Sequence, residues 1–146
     1  RRTLLRGGGM TTVEKGTELP PLSLRVTRAD LVRYAGASGD FNPIHWSDRV
    51  ATSVGLPGVI AHGMLTMGIG AGYITSWLGD PGAVLEYNVR FTSPVYVSNE
   101  GTGTEIELSG KVRSVDEADR TAVIAIVAKV DGKKIFGLAT MDVRFR

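Results

Sequence analysis

The chain has 146 residues, 42% hydrophobic and 22% charged, a composition that suits one globular domain with a sizeable core. It has no cysteine, which excludes a disulfide framework, a thiolate nucleophile and a cysteine metal site. The formal charge of +2 comes from the first nine residues, RRTLLRGGG, which read as a disordered tag or leader; without their three arginines, 14 basic residues face 15 acidic ones, and no basic stripe points to nucleic acid.

Residues 10–146 then read as a single domain. Residues 22–26 alternate (LSLRV) and predict a strand. Thr27 follows, and Thr27-Arg28-Ala29-Asp30 resembles a capping box with Asp in place of Glu, opening a helix to about Ala37. Gly39 and Pro43 end it. A short helical piece is expected over 47–54, broken by Gly55, Pro57 and Gly58.

Next comes HGMLTMGIGAGYITSWLG, residues 62–79, apolar nearly all round and therefore expected to be an enclosed helix. Residues 50–79 carry no formal charge, but the most apolar part, 64–78, is shorter than the roughly 20 residues of a membrane span. Gly68, Gly70 and Gly72 lie inside this helix, where each costs about 0.8–1 kcal/mol relative to Ala. Close contact with the sheet or a ligand is the expected reason for all three.

The remainder reads as strands. Residues 85–91 (LEYNVRF) alternate with period two. Residues 104–115 form a weaker strand with Gly110 as a candidate bulge. Residues 121–130 are almost continuously apolar, as if covered on both faces, and Asp131-Gly132 is a two-residue hairpin signal. The last strand, 133–145, places Ile135, Ala139, Met141, Val143 and Phe145 on one face. The fold class is therefore α+β. One antiparallel sheet with a single enclosed helix implies a sheet curled around it, the hot-dog arrangement, although pattern alone leaves other α+β arrangements open.

Asp40 and His45 lie five apart in SGDFNPIH, with Asn42 and Pro43 between them. Pro43 fixes its own φ and pushes Asn42 out of the helical region, so the segment is a rigid bend. Such a bend can aim a carboxylate and an imidazole at one water, an acid–base pair near neutral pH. Asp and Asn also populate ordinary turns, and the residues alone leave both readings open. Two histidines seventeen apart match no usual zinc-ligand spacing.

His62 and Gly63 begin the apolar helix, whose N-terminus offers unpaired N–H groups to a developing oxyanion; packing alone would explain them equally well. The run GIGAG lacks the spacing of a dinucleotide loop. Trp46, Tyr73 and Trp77 read as core or interface aromatics.

The stretch YAGASGDFNPIH, residues 34–45, resembles the signature of the MaoC-like (R)-specific enoyl-thioester hydratase/dehydratase family. The resemblance continues through IAHGM, 60–64, and LEYNVRF, 85–91, and covers about residues 15–145. The run HGMLTMGIGAGYITSWLGDPGAV is similar to one subunit of a two-subunit dehydratase within that family. It implies a hot-dog fold, no cofactor, no metal and a hydro-lyase of fatty-acid metabolism in the cytoplasm. The substrates would be (3R)-hydroxyacyl and trans-2-enoyl thioesters of CoA or acyl carrier protein. Asp40 and His45 would be catalytic, with Gly63 N–H as oxyanion donor and Asn42 and His62 in supporting, substrate-side roles. The implied assembly is a dimer, either of identical chains or with a related subunit lacking the dyad. Two rival readings are a hot-dog thioesterase and a non-catalytic acyl-binding subunit. Residues 63–78 contain no Asp or Glu, the helix acid that such thioesterases commonly use.

Overall fold

The computed structural model describes residues 12–146; the segment read as a tag or leader lies outside the described residues. The elements in chain order are β1 (Glu18–Val26), α1 (Arg28–Ser38), a 3-10 turn (Pro43–His45) and α2 (Asp48–Ser53). They continue with α3 (Gly63–Leu78), β2 (Val84–Phe91), β3 (Thr104–Asp116), β4 (Thr121–Val130), β5 (Lys133–Lys134) and β6 (Phe136–Arg144). The strands form one antiparallel sheet in the order β1-β3-β4-β6-β2, with β5 pairing β4. The sheet curls around α3, the hot-dog fold.

Local signals explain most boundaries. Thr27 caps α1: its hydroxyl accepts from Asp30 N–H at 3.2 Å, and Asp30 Oδ2 accepts from Thr27 N–H at 2.9 Å. Gly39 closes α1 in the left-handed region, at φ 76°. The Asp131-Gly132 turn has positive φ at both residues, 49° and 76°, the two-residue hairpin geometry whose twist matches its strands. β1 starts earlier than its alternation predicts, at Glu18, because an edge strand tolerates Pro20 and Pro21; pairing with β3 skips from Leu19 to Leu22.

The core sits between α3 and the inner face of the sheet. Ala122, Ile124, Ile126 and Ala128 of β4 alternate as buried residues, flanked by Ile106, Leu108 and Val112 of β3 and by Ala139, Met141 and Val143 of β6. The other face of β4 is only half-buried, so the expectation of cover on both faces is not met. Its apolar character reflects a central position in the sheet. The final strand breaks at Ile135, which puts Ile135 and Phe136 both in the core. The irregularity in β3 falls between Val112 and Ser114, and Gly110 is regularly paired. A methyl group at Gly110 would stand 3.1 Å from Leu19 and 3.4 Å from Tyr73, so close packing is the reason for that glycine. Tyr73 is buried and donates its hydroxyl to Pro20 O at 2.8 Å; Trp77 packs against the core, and Trp46 is exposed.

Helix α3 departs from its expected all-round enclosure. Thr66, Gly70, Tyr73 and Ile74 are buried, whereas Met64, Gly68, Gly72 and Ser76 form an exposed stripe at four-residue spacing. The three glycines accordingly differ. Among the described residues nothing lies within 4 Å of a Cβ at Gly68 or Gly72, so the sheet is not the reason for those two. At Gly70 the space is taken by Tyr87 Oη, with Phe136 Cε2 at 3.8 Å.

A Gly70→Ala substitution gains about 1 kcal/mol of helix propensity but overpacks a filled layer at a cost of about 1–3 kcal/mol. The steric cost wins, and melting temperature falls. In a Tyr87→Phe background the next atom, Cζ, is 3.5 Å away, an ordinary contact. There the same substitution becomes neutral or stabilising. A thermal-melt double-mutant cycle checks this; additive effects would refute the contact.

Candidate active site

The loop after α1 is built from consecutive side-chain-to-backbone turns. Asp40 N–H donates to Ser38 Oγ at 3.2 Å, Asn42 N–H to Asp40 Oδ1 at 3.1 Å and Ile44 N–H to Asn42 Oδ1 at 3.2 Å. Pro43 then opens the 3-10 turn, where its missing N–H costs nothing. The bend is thus an Asx-rich turn and, at the same time, a device that aims Asp40 Oδ2 at His45. Asn42 touches neither the His45 ring nor the cavity; it holds Asp40 Oδ1 through its backbone and the 3-10 turn through its side chain.

His45 is 7% exposed. Its Nδ1–H donates to Ile60 O at 2.7 Å, which leaves Nε2 as the lone-pair nitrogen of the neutral ring. That Nε2 lies 4.0 Å from Asp40 Oδ2 on a half-exposed carboxylate. The distance is too long for a direct hydrogen bond and suits one bridging water or hydroxyl. Both atoms are acceptors when His45 is neutral and Asp40 ionised, so one water can donate to both and turn its lone pairs outward.

The cavity beside them has a volume of about 330 Å³. His45, Ile60, Gly63, Thr66, Phe91 and Ile135 are among its lining residues. Gly63 is the first residue of α3, so its N–H has no intrahelical acceptor. A Cβ there would stand 3.3 Å from the Phe91 ring, so glycine keeps the approach to this N–H open. Thr66 turns its hydroxyl back to Gly63 O at 2.7 Å and fixes the first turn.

His62 lies behind the dyad and outside the cavity lining. It is 1% exposed, and its ring stacks on His45 with centroids 3.8 Å apart and planes at 23°. The edge of Tyr34 meets it at 4.7 Å. Its Nε2–H donates to Asp40 O at 3.1 Å, and its buried Nδ1 has no partner. Burial holds this imidazole below its ordinary pKa of 6.5. The charge of His45 pushes the same way, and the bond to Asp40 opposes both.

Asp40, His45 and His62 bring three ligand-type atoms within 4.8 Å of one another. The planes of the two stacked rings lie 23° apart. One nitrogen of each ring is also committed to a carbonyl oxygen. This geometry handles protons better than it coordinates an ion.

His45 and Gly63 line one cavity, Asp40 reaches His45 from its half-exposed side, and Asn42 and His62 lie outside the lining. The Ile60 carbonyl and the Phe91 wall are additions that the sequence did not signal. A carbonyl leaves no mark on residue type, and Phe91 reaches the site from a distant strand. Thr66, a hydroxyl one turn after Gly63, was the one detectable cue.

Residues 11–130 match the family described as MaoC like domain. The chain is 40% identical over 97 residues to 3-hydroxyacyl-thioester dehydratase X of Mycobacterium tuberculosis, covering 65% of this chain and 34% of that protein. It is 30% identical over 110 residues to 3-hydroxybutyryl-CoA dehydratase of Methylorubrum extorquens, covering 75% and 67%. A solved structure described as a MaoC-like dehydratase superposes with a TM-score of 0.88 at 55% identity, covering 92% of this chain and 41% of that one. The chain therefore spans about a third of the mycobacterial relative and two fifths of that solved structure.

Proposed function

The chain belongs to the MaoC like domain family, and from that membership and the site geometry we propose that it interconverts (3R)-hydroxyacyl and trans-2-enoyl thioesters. The observation that carries the reading is the 4.0 Å gap between Asp40 Oδ2 and His45 Nε2, with His45 lining a cavity that also receives the head of α3. In hydration, a water held across the gap attacks C3 of the enoyl thioester. One member of the pair takes its proton, and a proton is delivered to C2. Dehydration reverses each step: the C2–H and C3–O bonds break, the double bond forms and water leaves.

Negative charge builds on the thioester oxygen in either direction. Gly63 N–H, at the positive end of α3, is placed to stabilise it. Asn42 acts as a positioning residue that fixes Asp40 Oδ1 and leaves Oδ2 to the reaction. The apolar walls, Ile60, Phe91 and Ile135, suit an acyl chain, and the carrier is CoA or acyl carrier protein. The proposed setting is fatty-acid metabolism in the cytoplasm; among the described residues no helix is long and apolar enough to cross a membrane. No step calls for a cofactor. A thioesterase reading lacks its usual helix acid, since α3 carries none.

Asp40→Asn and His45→Ala should each lower turnover of an enoyl-CoA by about 10²–10⁴-fold, the usual contribution of general acid–base catalysis. Melting temperature should stay near that of the unaltered protein. Loss of enoyl absorbance on hydration is the assay. A folded variant with undiminished turnover would remove that residue from the chemistry.

We further propose that a second hot-dog unit pairs with this one. β2 is an edge of the sheet, with one row of backbone groups unpaired. The exposed stripe Met64, Gly68, Gly72 and Ser76 offers a second helix close approach, and the longer relatives have room for a further unit. That unit is either an identical chain or a related one without the dyad. In sedimentation at micromolar concentration, the chain alone or with such a partner should run near twice its 15.6 kDa mass. Gly68→Gln and Gly72→Gln should shift it toward monomer. A fully active monomer would refute the pairing.

A further inference from the structure

We infer that His62 is a positioning residue that works only as a neutral imidazole, holding the Asp40 backbone through Nε2–H while its ring face carries the charge that His45 acquires during turnover. The activity part of this inference rests on the hydratase reading; the protonation part stands on geometry alone.

Among the described residues, Asp40 from the loop is recorded against both rings, Tyr34 from α1 against His62, and the two histidines against each other. Asp40 lies on the His45 side through its carboxylate and on the His62 side through its carbonyl. The bond to that carbonyl fixes the tautomer of His62 with hydrogen on Nε2. Nδ1 is then a bare acceptor in a sealed position. A proton added there would find no acceptor among the described residues, and an unpaired buried cation is costly.

The stacking sharpens this constraint. When His45 takes a proton it becomes an imidazolium 3.8 Å from the His62 ring. A neutral π face beneath a cation is attractive. A second imidazolium at that distance is repulsive. Neutral His62 therefore permits the proton transfer, and protonated His62 blocks it. The bond to Asp40 O favours the protonated ring, and burial together with the charge of His45 outweighs it. His62 thereby contributes to the acid limb of activity without touching substrate.

The linkage has a definite sign. The folded-state pKa of His62 lies below its ordinary 6.5, so the unfolded chain binds more protons between those two values. Stability from this group is complete above pH 6.5 and declines as pH falls from there toward the folded-state pKa.

The chain contains only two histidines, so nitrogen-edited NMR of the imidazoles gives two spin systems to assign. Across a titration of the intact protein, His62 should stay in the Nε2–H tautomer below pH 6.5, where an exposed imidazole is largely charged. Titration of both rings at ordinary values would overturn the inference, whatever the enzyme assay shows. His62→Gln keeps an amide N–H for the Asp40 carbonyl without an ionisable ring. It should flatten the fall in melting temperature below pH 6.5, extend kcat to lower pH and leave KM nearly unchanged. His62→Phe keeps the stacked ring but loses the donor, and should lower kcat by about 10- to 100-fold as the loop is misplaced. An unchanged acid limb in the Gln variant, or Phe and Gln variants of equal kcat, would also overturn the inference.

Discussion

Residue 60 commits both of its main-chain groups to the dyad loop, and the geometry of the site depends on that commitment. Ile60 N–H donates to Ile44 O at 3.2 Å, and Ile60 O accepts from His45 Nδ1–H at 2.7 Å. Its neighbours pair in the opposite direction: Ala61 N–H reaches Val95 O at 2.8 Å, and Val97 N–H reaches Val59 O at 2.9 Å. The extended segment 59–61 is therefore stitched between the 3-10 turn and the strand-like run 95–97. Gly63 follows three residues later, so the same segment sets the distance from imidazole to helix terminus. Arg28 braces it from α1. Its guanidinium donates to Val97 O at 2.6 Å and to Asp48 at 2.8 Å, and Asp48 Oδ1 accepts from Val59 N–H at 2.9 Å. Arg28 thereby holds the Asp48 carboxyl below its ordinary pKa.

What was legible in the sequence shares one property: its cause is local. The Thr27–Asp30 capping box and the Asp131-Gly132 turn act within a few positions, whereas the period expected over 85–91 fails at its ends, where Leu85 and Phe91 are exposed beside register shifts. The closeness of Asp40 and His45 was legible for the same reason, since Pro43 and the Asx turns fix one against the other over six residues. The partners of His45 and His62 across the fold were not. Ile60 contributes a carbonyl that any residue would supply. The stack of His45 on His62 requires a seventeen-residue excursion to return to within 3.8 Å.

Helix α3 shows why burial is harder to read than periodicity. Its sequence is apolar nearly all round, which signals enclosure but not by what. Thr66, Gly70 and Ile74 are enclosed by the chain's own sheet, whereas Met64, Gly68 and Gly72 are not. The glycines look alike in sequence and differ only in what faces them. Gly70 meets Tyr87, a residue seventeen positions away on β2 whose hydroxyl is buried without a partner and whose pKa burial raises to about 12. A Cβ at Gly68 or Gly72 would meet nothing within 4 Å among the described residues.

The same asymmetry connects assembly to chemistry. His45 is buried, whereas the Asp40 side chain is 50% exposed. One member of the dyad thus exchanges with solvent while the other faces the apolar cavity. The apolar edge of that cavity is itself incompletely covered: Phe91 is 48% exposed, and Met64, next to Gly63, is 61% exposed. Phe91 ends the edge strand β2, and Met64 begins the open stripe of α3. A second unit laid along β2 and α3 would cover both residues at once. It would remove water from the Gly63 side of the cavity, where a low dielectric strengthens the pull of a helix-terminal N–H on negative charge. It would leave the Asp40 side open for water to enter and depart. Pairing and catalysis would then draw on the same exposed apolar surface.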